Sequence, residues 1–328
     1  MIRSLFTNGS GKTEYDLSID RIKTVVKNKT GLLWVDFIEE DPTVCESILK
    51  DIFEFHPLAI EDALDQNHVP RVDDWGSYLY LVLHAPKFNQ DKDEPIETDE
   101  VDIFLGKHYL VTYQEKMIPV VEKVWDILKR DERYLLKGTD HLFYKIADDV
   151  IAEYMPLAEE LDAIIDNIED RIFDRPSQEL LERIFLMKRS LAHLRRMIAP
   201  QREVFNKLAR GDDQIIDRAD RVFFRDIYDH LVRLYDVTES LRDLMGSVLD
   251  TYLSAVNNRM NEVMKTLTII TTLFMPLSFM AGFFGMNFFI PEPPIISWVS
   301  RPMFAVVVML TISVPVGMFL WMRRRKWM

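Results

Sequence analysis

The sequence predicts an α/β domain followed by long α-helices and two transmembrane helices. Charged residues occur throughout residues 1–263, whereas residues 264–322 are almost uncharged. Within the second region, residues 264–284 and residues 303–322 form two apolar runs. A run of roughly 18 or more apolar residues is long enough to cross a ~30 Å hydrocarbon core as a helix. The chain of 328 residues also exceeds the usual size of one domain, so a soluble part is expected beside the membrane part.

Residues 1–118 are predicted to form the α/β domain. Runs rich in aromatic and β-branched residues, which favour strands, occur at residues 31–37, 78–84, 101–105 and 109–113. The last two runs are separated by Gly106–Lys107–His108, and this spacing predicts a hairpin.

Residues 119–219 are predicted to be helical. They contain an acidic helix at residues 141–174 and a basic helix at residues 177–210, with Pro176 and Gly211 as the breaks. No proline or glycine cluster separates the following residues 220–263 from the first apolar run. One continuous stalk helix from about Arg221 to Phe284 is therefore expected, and it would couple the soluble and membrane parts mechanically.

The stalk helix also carries a regular apolar pattern. Its members alternate steps of four and three residues: Ile227, Leu231, Leu234, Thr238, Leu241, Met245, Val248, Tyr252 and Ala255. A mean period of 3.5 residues is typical of a coiled-coil seam.

Composition limits the function and the orientation. The net charge of −13 argues against a nucleic-acid partner, and the single cysteine, Cys45, excludes an intramolecular disulfide. The histidines have no paired metal spacing and no serine–histidine arrangement indicates hydrolysis, so neither an enzyme nor an organic cofactor is predicted. Because short basic flanks stay in the cytoplasm, the tail at residues 323–328 predicts two cytoplasmic termini. Residues 285–302 would then form the external loop of a multi-pass protein in the cell membrane.

One face of the stalk helix is suited to line a pore. Polar, hydroxyl, small and methionine residues recur there at steps of three or four: Asp250, Ser254, Asn257, Asn261, Met264, Leu267 or Thr268, Thr271, Met275, Ser278 and Gly282. Two spans cannot enclose a water-filled path, so a pore requires several copies around an axis. The same small residues also suit a helix–helix contact without any pore.

The tripeptide Gly285–Met286–Asn287 follows the first span directly. A ring of neutral amides would hydrogen-bond the water shell of Mg²⁺, which dehydrates reluctantly, without trapping the ion as carboxylates would. Met264 and Met275 would form apolar constrictions that stop flow by dewetting.

With these residues, the sequence resembles the CorA family of magnesium channels. The resemblance rests on residues 262–288 with the basic tail, and it extends to Glu115–Lys116, residues 186–189 and residues 224–230. It implies a funnel-shaped homopentamer that conducts Mg²⁺, with Co²⁺ or Ni²⁺ as secondary ions, down the membrane potential.

The resemblance also assigns roles along the chain. Gly285, Met286 and Asn287 would form the selectivity filter, and the pore and its gate would be formed by Ser278, Met275, Thr271, Leu267, Met264, Asn261 and, at the cytoplasmic mouth, Asp250. Regulatory Mg²⁺ would bind Asp226 together with an acid near Asp91, Asp93 and Glu94 of a neighbouring copy. The acidic helix would face a basic ring formed by Arg323, Arg324, Arg325 and Lys326.

Two positions depart from the family pattern. Phe284 replaces the tyrosine that usually precedes Gly-Met-Asn, and the external loop offers Glu292 as its only acid, at the outer vestibule. Two alternatives stay open at this point. One is a Zn²⁺ transporter of the same superfamily, and the other is a non-conducting, membrane-tethered coiled-coil sensor or scaffold.

Overall fold

The computed structural model describes residues 1–8, 13–65, 68–89, 95–174, 176–211, 213–286 and 301–325. The chain divides into two compact units, Met1–Thr251 and Tyr252–Met328.

The described residues include seven strands, which form one sheet in the spatial order β2-β1-β3-β7-β6-β5-β4. The strands are β1 (Ile2–Thr7), β2 (Thr13–Tyr15), β3 (Leu32–Ile38), β4 (Arg71–Asp74), β5 (Tyr78–Phe88), β6 (Ile96–Gly106) and β7 (Tyr109–Gln114). The β3–β7 pair is parallel and the other pairs are antiparallel. The predicted α/β domain and its β6–β7 hairpin are therefore confirmed.

The helices in the described residues are α1 (Ile19–Asn28), α2 (Pro42–Asp51), α3 (Pro57–Leu64), α4 (Pro119–Arg130), α5 (Thr139–Ala152), α6 (Tyr154–Asp174), α7 (Gln178–Arg210), α8 (Arg221–Gly285) and α9 (Arg301–Arg324). A short 3-10 helix, Glu132–Lys137, lies between α4 and α5.

The sheet is apolar on both faces. Alternate residues of a strand point to opposite faces, so Leu33, Val35 and Phe37 of β3 lie in the core that α1, α2 and α3 complete. On the other face, Trp34 meets Trp125 of α4 edge to face, with 4.8 Å between ring centroids. Burial on both faces explains why the strand runs in the sequence are almost continuously apolar.

A buried ion pair ties the first strand to the sheet. The Arg3 guanidinium donates to Asp36 Oδ2 from Nε and Nη2, at 3.0 and 2.8 Å, and stacks over the Trp125 ring at 4.2 Å. Thr112 and Gln114 of β7 donate to the other oxygen of Asp36. Both oxygens of this fully buried carboxylate are thus satisfied, which is the condition for tolerating a charge in a core.

The acidic helix predicted at residues 141–174 is in fact two helices, α5 and α6, separated at Glu153. Pro156 explains the break. A proline has no N–H to donate, and its ring clashes with the carbonyl four residues earlier. That carbonyl belongs to Ala152, the last residue of α5, so the sequence contained the signal that the prediction overlooked.

The basic helix agrees with its prediction. α7 begins one residue after the predicted start and ends at Arg210, followed by Gly211 in the left-handed region with φ of 78°. The positive φ favours glycine at this position, and a side chain there would also displace the Arg221 guanidinium, which lies against Gly211.

The long stalk helix is also confirmed, because α8 runs without interruption from Arg221 to Gly285. Its seam from Ile227 to Tyr252 is buried at every predicted position. Beyond Tyr252 the seam ends, and the compact unit ends one residue earlier, at Thr251. The predicted boundary at residue 263 marks the start of the apolar span instead, because it was placed on hydropathy and not on packing.

Candidate ion pathway

Among the described residues, two helices are long and apolar enough to cross a membrane: α8, over its second half, and Phe304–Arg324 within α9. They agree with the two spans predicted at residues 264–284 and 303–322. The C-terminal ends of α8 and α9 lie one and two residues beyond the ends of the predicted spans, because a helix continues past the apolar run that defines a span.

The two spans turn matching stripes toward each other. On α8, the partly buried residues are Ile269, Thr272, Leu273, Pro276, Leu277 and Met280. On α9, the residues that are buried or partly buried recur at steps of four and three: Val307, Thr311, Pro315, Met318 and Met322. Such spacing places each set on one face of its helix.

The predicted pore residues occupy a different face of α8. Met264, Leu267, Thr271, Met275 and Ser278 are all exposed in the single chain. At ~100° per residue, the centre of this set lies about 170° around the helix from the face turned to α9. We call this exposed set the pore stripe. Its exposed fraction reaches 71% at Met275, so α9 of the same chain leaves the stripe open.

Hydroxyl groups along this helix have defined hydrogen-bonding roles. The Thr268 hydroxyl donates to the Met264 carbonyl at 2.7 Å, and the Thr271 hydroxyl donates to the Leu267 carbonyl at 2.9 Å. Each hydroxyl has one proton and two lone pairs, so these threonines keep acceptor capacity on their outer side. The water molecules around a cation point their protons outward, so a hydroxyl oxygen can accept a hydrogen bond from them.

Pro276 opens the helix backbone on the face opposite the stripe. Because proline lacks an N–H, the carbonyl of Thr272 has no donor four residues later. Polar groups released in this way are retained in membrane helices only where a neighbouring helix, a hydroxyl or water satisfies them.

The helix end carries the predicted filter. α8 ends at Gly285, and the Met286 N–H donates to the Phe283 carbonyl at 3.4 Å. A Cβ on Gly285 would meet no atom within 4 Å in the single chain. Asn287 lies outside the described residues, as do Glu292, Asp91 and Lys326.

The predicted cytoplasmic residues of the pathway are also exposed on α8. Asn261 is exposed in the second unit and Asp250 in the first. Neither position is covered by another element of its own unit.

The predicted regulatory residue lies in an acidic neighbourhood. Asp226 is exposed on α8, and Asp148 and Asp149 of α5 lie nearby. Burial raises the pKa of Asp148. The neighbouring Asp149 and Asp226 raise it further, whereas Lys145 and His230 lower it. Within the described ranges, no three His, Cys, Asp or Glu side chains are arranged to hold a metal ion. A cation at Asp226 would therefore need ligands from elsewhere.

At the C-terminal end of α9, Arg323, Arg324 and Arg325 of the predicted basic ring are exposed. The Arg325 guanidinium lies over the Trp321 ring, 5.9 Å from its centroid.

The sequence predictions missed a second acidic site, at the start of α8. Asp140 of α5 accepts the backbone N–H of Asp217 at 3.0 Å, and Asp220 lies beside it. Burial, followed by the neighbouring Asp140 and Asp217, raises the pKa of Asp220 to about 6. No sequence spacing relates residues 140 and 220, because only the packing of α5 against the α7–α8 connection brings them together.

Comparison with known proteins identifies the family. Residues 29–324 match the family model described as "CorA-like Mg2+ transporter protein". The chain is 34% identical over 303 residues to the cobalt/magnesium transport protein CorA of Thermotoga maritima, covering 92% of this chain and 82% of that protein.

Solved structures share the fold. The complete structure of the CorA magnesium transporter from Methanocaldococcus jannaschii superimposes with a TM-score of 0.82, covering 99% of this chain and 98% of that one at 22% identity. The full-length CmaX structure gives a TM-score of 0.75 over 95% of each chain. This two-span membrane protein belongs to the CorA-like family of divalent cation transporters.

Proposed function

We propose that the chain forms a channel through which Mg²⁺ enters the cell, with Co²⁺ and Ni²⁺ as secondary ions. The observation that carries this proposal is the pore stripe of α8. Its hydroxyl and methionine residues are left open by α9, and the stripe leads to Gly285 and Met286 at the helix end.

The stripe requires partner copies of the same chain. An exposed helix face in the membrane contacts lipid, another helix or water, and lipid does not favour hydroxyls. Copies arranged around an axis would turn their stripes inward and enclose a water-filled path. The resemblance to the CorA family favours five copies.

The filter would act through neutral dipoles. A ring of Asn287 amides and Gly285 carbonyls would accept protons from the water shell of Mg²⁺, and the absence of fixed charge would let the ion leave. The membrane potential supplies the drive. A divalent ion moving inward gains about 4.6 kcal/mol per 100 mV, twice the value for a single charge.

Cytoplasmic Mg²⁺ would hold the channel closed. Exposed Asp226 lies among acids whose mutual repulsion a divalent cation would relieve, and an acid from a neighbouring copy would complete the site. Loss of the ion would free the copies to move, and the apolar rings at Met264, Leu267 and Met275 would open. The basic tail favours an orientation with both termini in the cytoplasm, in the cell membrane.

Transport of Zn²⁺ is the second candidate. One relative, the zinc transport protein ZntB of Yersinia pseudotuberculosis, is 24% identical over 83% of this chain and 81% of that protein. Met286 disfavours this candidate, because the zinc relatives tend to carry isoleucine at that position.

The test is flux into vesicles that contain the purified full chain and a Mg²⁺-sensitive dye, under an inside-negative potential. Wild type should conduct. Asn287→Ala should reduce flux to background, because the amide ring is lost. Asn258→Ala removes the same group from an exposed position on another face of α8 and should conduct normally.

Three outcomes would contradict parts of the proposal. Normal flux through Asn287→Ala would remove the filter assignment. Faster Zn²⁺ than Mg²⁺ uptake at one potential would favour the zinc transporter. No flux of any divalent cation through wild type would favour the scaffold.

A further inference from the structure

A cavity of about 300 Å³ lies between the two membrane helices, at the end where Arg323 follows the second span. Its lining consists of Lys265, Thr268, Ile269 and Thr272 from α8 and Met322 from α9. All five residues belong to the second unit. The cavity exists because two short threonine side chains, rather than long apolar ones, lie opposite Met322.

The cavity shares none of the five residues of the pore stripe, although Thr268, the alternative to Leu267 on the pore face, lines it. Its α8 residues follow the spacing i, i+3, i+4 and i+7, so they share one face of the helix. At ~100° per residue, Lys265 lies about 100° around the helix from Met264, the first apolar residue of the stripe. The proposed ion pathway therefore gives Lys265 no role.

The cations around this cavity are Lys265 and, at the C-terminal end of α9, Arg323 and Arg324. Among the described residues, no carboxylate forms an ion pair with Lys265, Arg323 or Arg324. Within residues 264–322 the only acid is Glu292, which follows the opposite end of the first span. Ionisable side chains in membrane segments are costly and are normally paired. Lys265 is exposed, and Glu262, one turn earlier on α8, forms no ion pair with it, so Lys265 is available to an anion from outside the chain.

The lining indicates which kind of anion fits. The Thr268 hydroxyl already donates its proton to the Met264 carbonyl, so toward the cavity it can only accept. An occupant with both an anionic oxygen and a hydroxyl would satisfy Lys265 and Thr268 together. Ile269 and Met322 offer apolar contact, which favours an occupant with a hydrocarbon part. Beside the cavity, exposed Trp321 is of the residue type that anchors helices at the headgroup level.

We propose that this cavity binds the phosphodiester headgroup of an anionic phospholipid in the cytoplasmic leaflet. Basic pockets between membrane helices on this side are a known chemical setting for anionic headgroups. The phosphate pairs with Lys265, a headgroup hydroxyl donates to Thr268, and the acyl chains lie along Ile269 and Met322. The leaflet rests on the orientation given under Proposed function, whereas the binding itself does not depend on ion conduction.

The test uses the full chain in phosphatidylcholine vesicles that contain a trace of spin-labelled phosphatidylglycerol. The measured quantity is the fraction of label immobilised by the protein. Lys265→Gln should weaken association of the anionic lipid about fivefold, the effect of roughly one basic residue near a membrane surface. Arg259→Gln is the matched control: it removes one charge from the same helix outside the cavity and should have a smaller effect. Lys265→Arg should retain binding.

A second variant keeps the charge and fills the space. Thr272→Leu should also reduce immobilised phosphatidylglycerol, which a merely electrostatic attraction to the surface would not show. Spin-labelled phosphatidylcholine should be unaffected by every variant. Equal phosphatidylglycerol binding by Lys265→Gln and Arg259→Gln would overturn the proposal, as would unchanged binding by Thr272→Leu.

Two further arms separate the alternatives. Release of the label by inorganic phosphate in the buffer would identify a site for free phosphate and overturn the lipid assignment, and retention would support it. Mg²⁺ flux is measured in the same vesicles. Selective binding of phosphatidylglycerol without Mg²⁺ flux would support the lipid site and contradict the proposed function. Mg²⁺ flux without selective lipid binding would support the proposed function and contradict the lipid site.

Discussion

The two compact units of this chain differ in where their apolar side chains lie. In the first unit, large residues such as Trp34, Trp125, Phe104 and Tyr80 are fully or almost fully buried. In the second unit, Tyr252 and Met322 are the buried apolar residues within the described part, and phenylalanines such as Phe274 and Phe279 are mostly exposed. The first unit therefore has a core of its own. The exposed apolar residues of the second suit contact with lipid and, we infer, with other copies.

The difference also appears in how polar groups are treated. In the first unit, buried Asp36 is held by Arg3, Thr112 and Gln114. In the second, threonine hydroxyls donate to the backbone of their own helix, and Lys265, Arg323 and Arg324 have no carboxylate partner among the described residues. The buried charges of Arg3 and Asp36 in the first unit are matched within the chain. The three cations of the second unit are left for partners outside it, such as an ion, a lipid or another subunit.

The sharpest test of this comparison truncates one phenylalanine in each unit. Phe104 stacks on Phe55 at 4.2 Å and is fully buried, so Phe104→Ala should lower the free energy of unfolding of the first unit by about 3–5 kcal/mol. Phe274→Ala, with the side chain 61% exposed, should leave that free energy unchanged. The measurement is urea unfolding of the detergent-solubilised chain followed by circular dichroism. Equal losses of unfolding free energy in the two variants would mean that the stability of one unit depends on the other.

A second test concerns a charge of the first unit that we assign to a partner outside the chain. Asp226→Ala should raise the Mg²⁺ concentration that protects the first unit from protease by at least roughly tenfold, the usual minimum for a change at a metal site. Asp229→Ala is the control, because it removes an exposed acid three residues further along α8. Identical cleavage of Asp226→Ala and wild type at every Mg²⁺ concentration would remove Asp226 from the regulatory site.

The smallest expected effect concerns pH. The neighbouring acids and partial burial raise the pKa of Asp220 to about 6, so the folded chain holds a proton there that the unfolded chain releases at lower pH. The contribution of this group to stability is complete below about pH 4 and is lost as the pH rises through about 6.

Asp220→Asn should therefore flatten the fall in thermal stability between pH 4 and 6. We expect less than about 1 kcal/mol, because Asp220 is partly exposed and solvent screens its interactions. The difference between wild type and variant is measured at each pH, with Asp20→Asn as an exposed control. If wild type and Asp220→Asn show the same pH dependence of thermal stability, the Asp140–Asp220 contact is not its cause.

Much of the architecture could be predicted because it depends on local patterns. The apolar runs define the spans, the period of 3.5 residues from Ile227 to Tyr252 defines the buried seam, and Gly211 marks the end of α7. The break at Glu153 was missed although Pro156 is a local signal, because the surrounding acidic pattern continues across it. The filter at Asn287 and the acids at Asp91 and Glu292 remain predictions.

The sequence by itself determined that two helices cross the membrane, that one of them continues into the soluble part, and which residues share the pore stripe. These properties follow from hydropathy and helical period, which act along the chain. Only the tertiary structure decided which face of α8 is turned to α9, that Asp140 lies beside Asp220, and that Lys265 and Met322 line the same cavity. Each of these depends on residues far apart in the chain, whose distance is set by how whole helices pack and not by any spacing in the sequence.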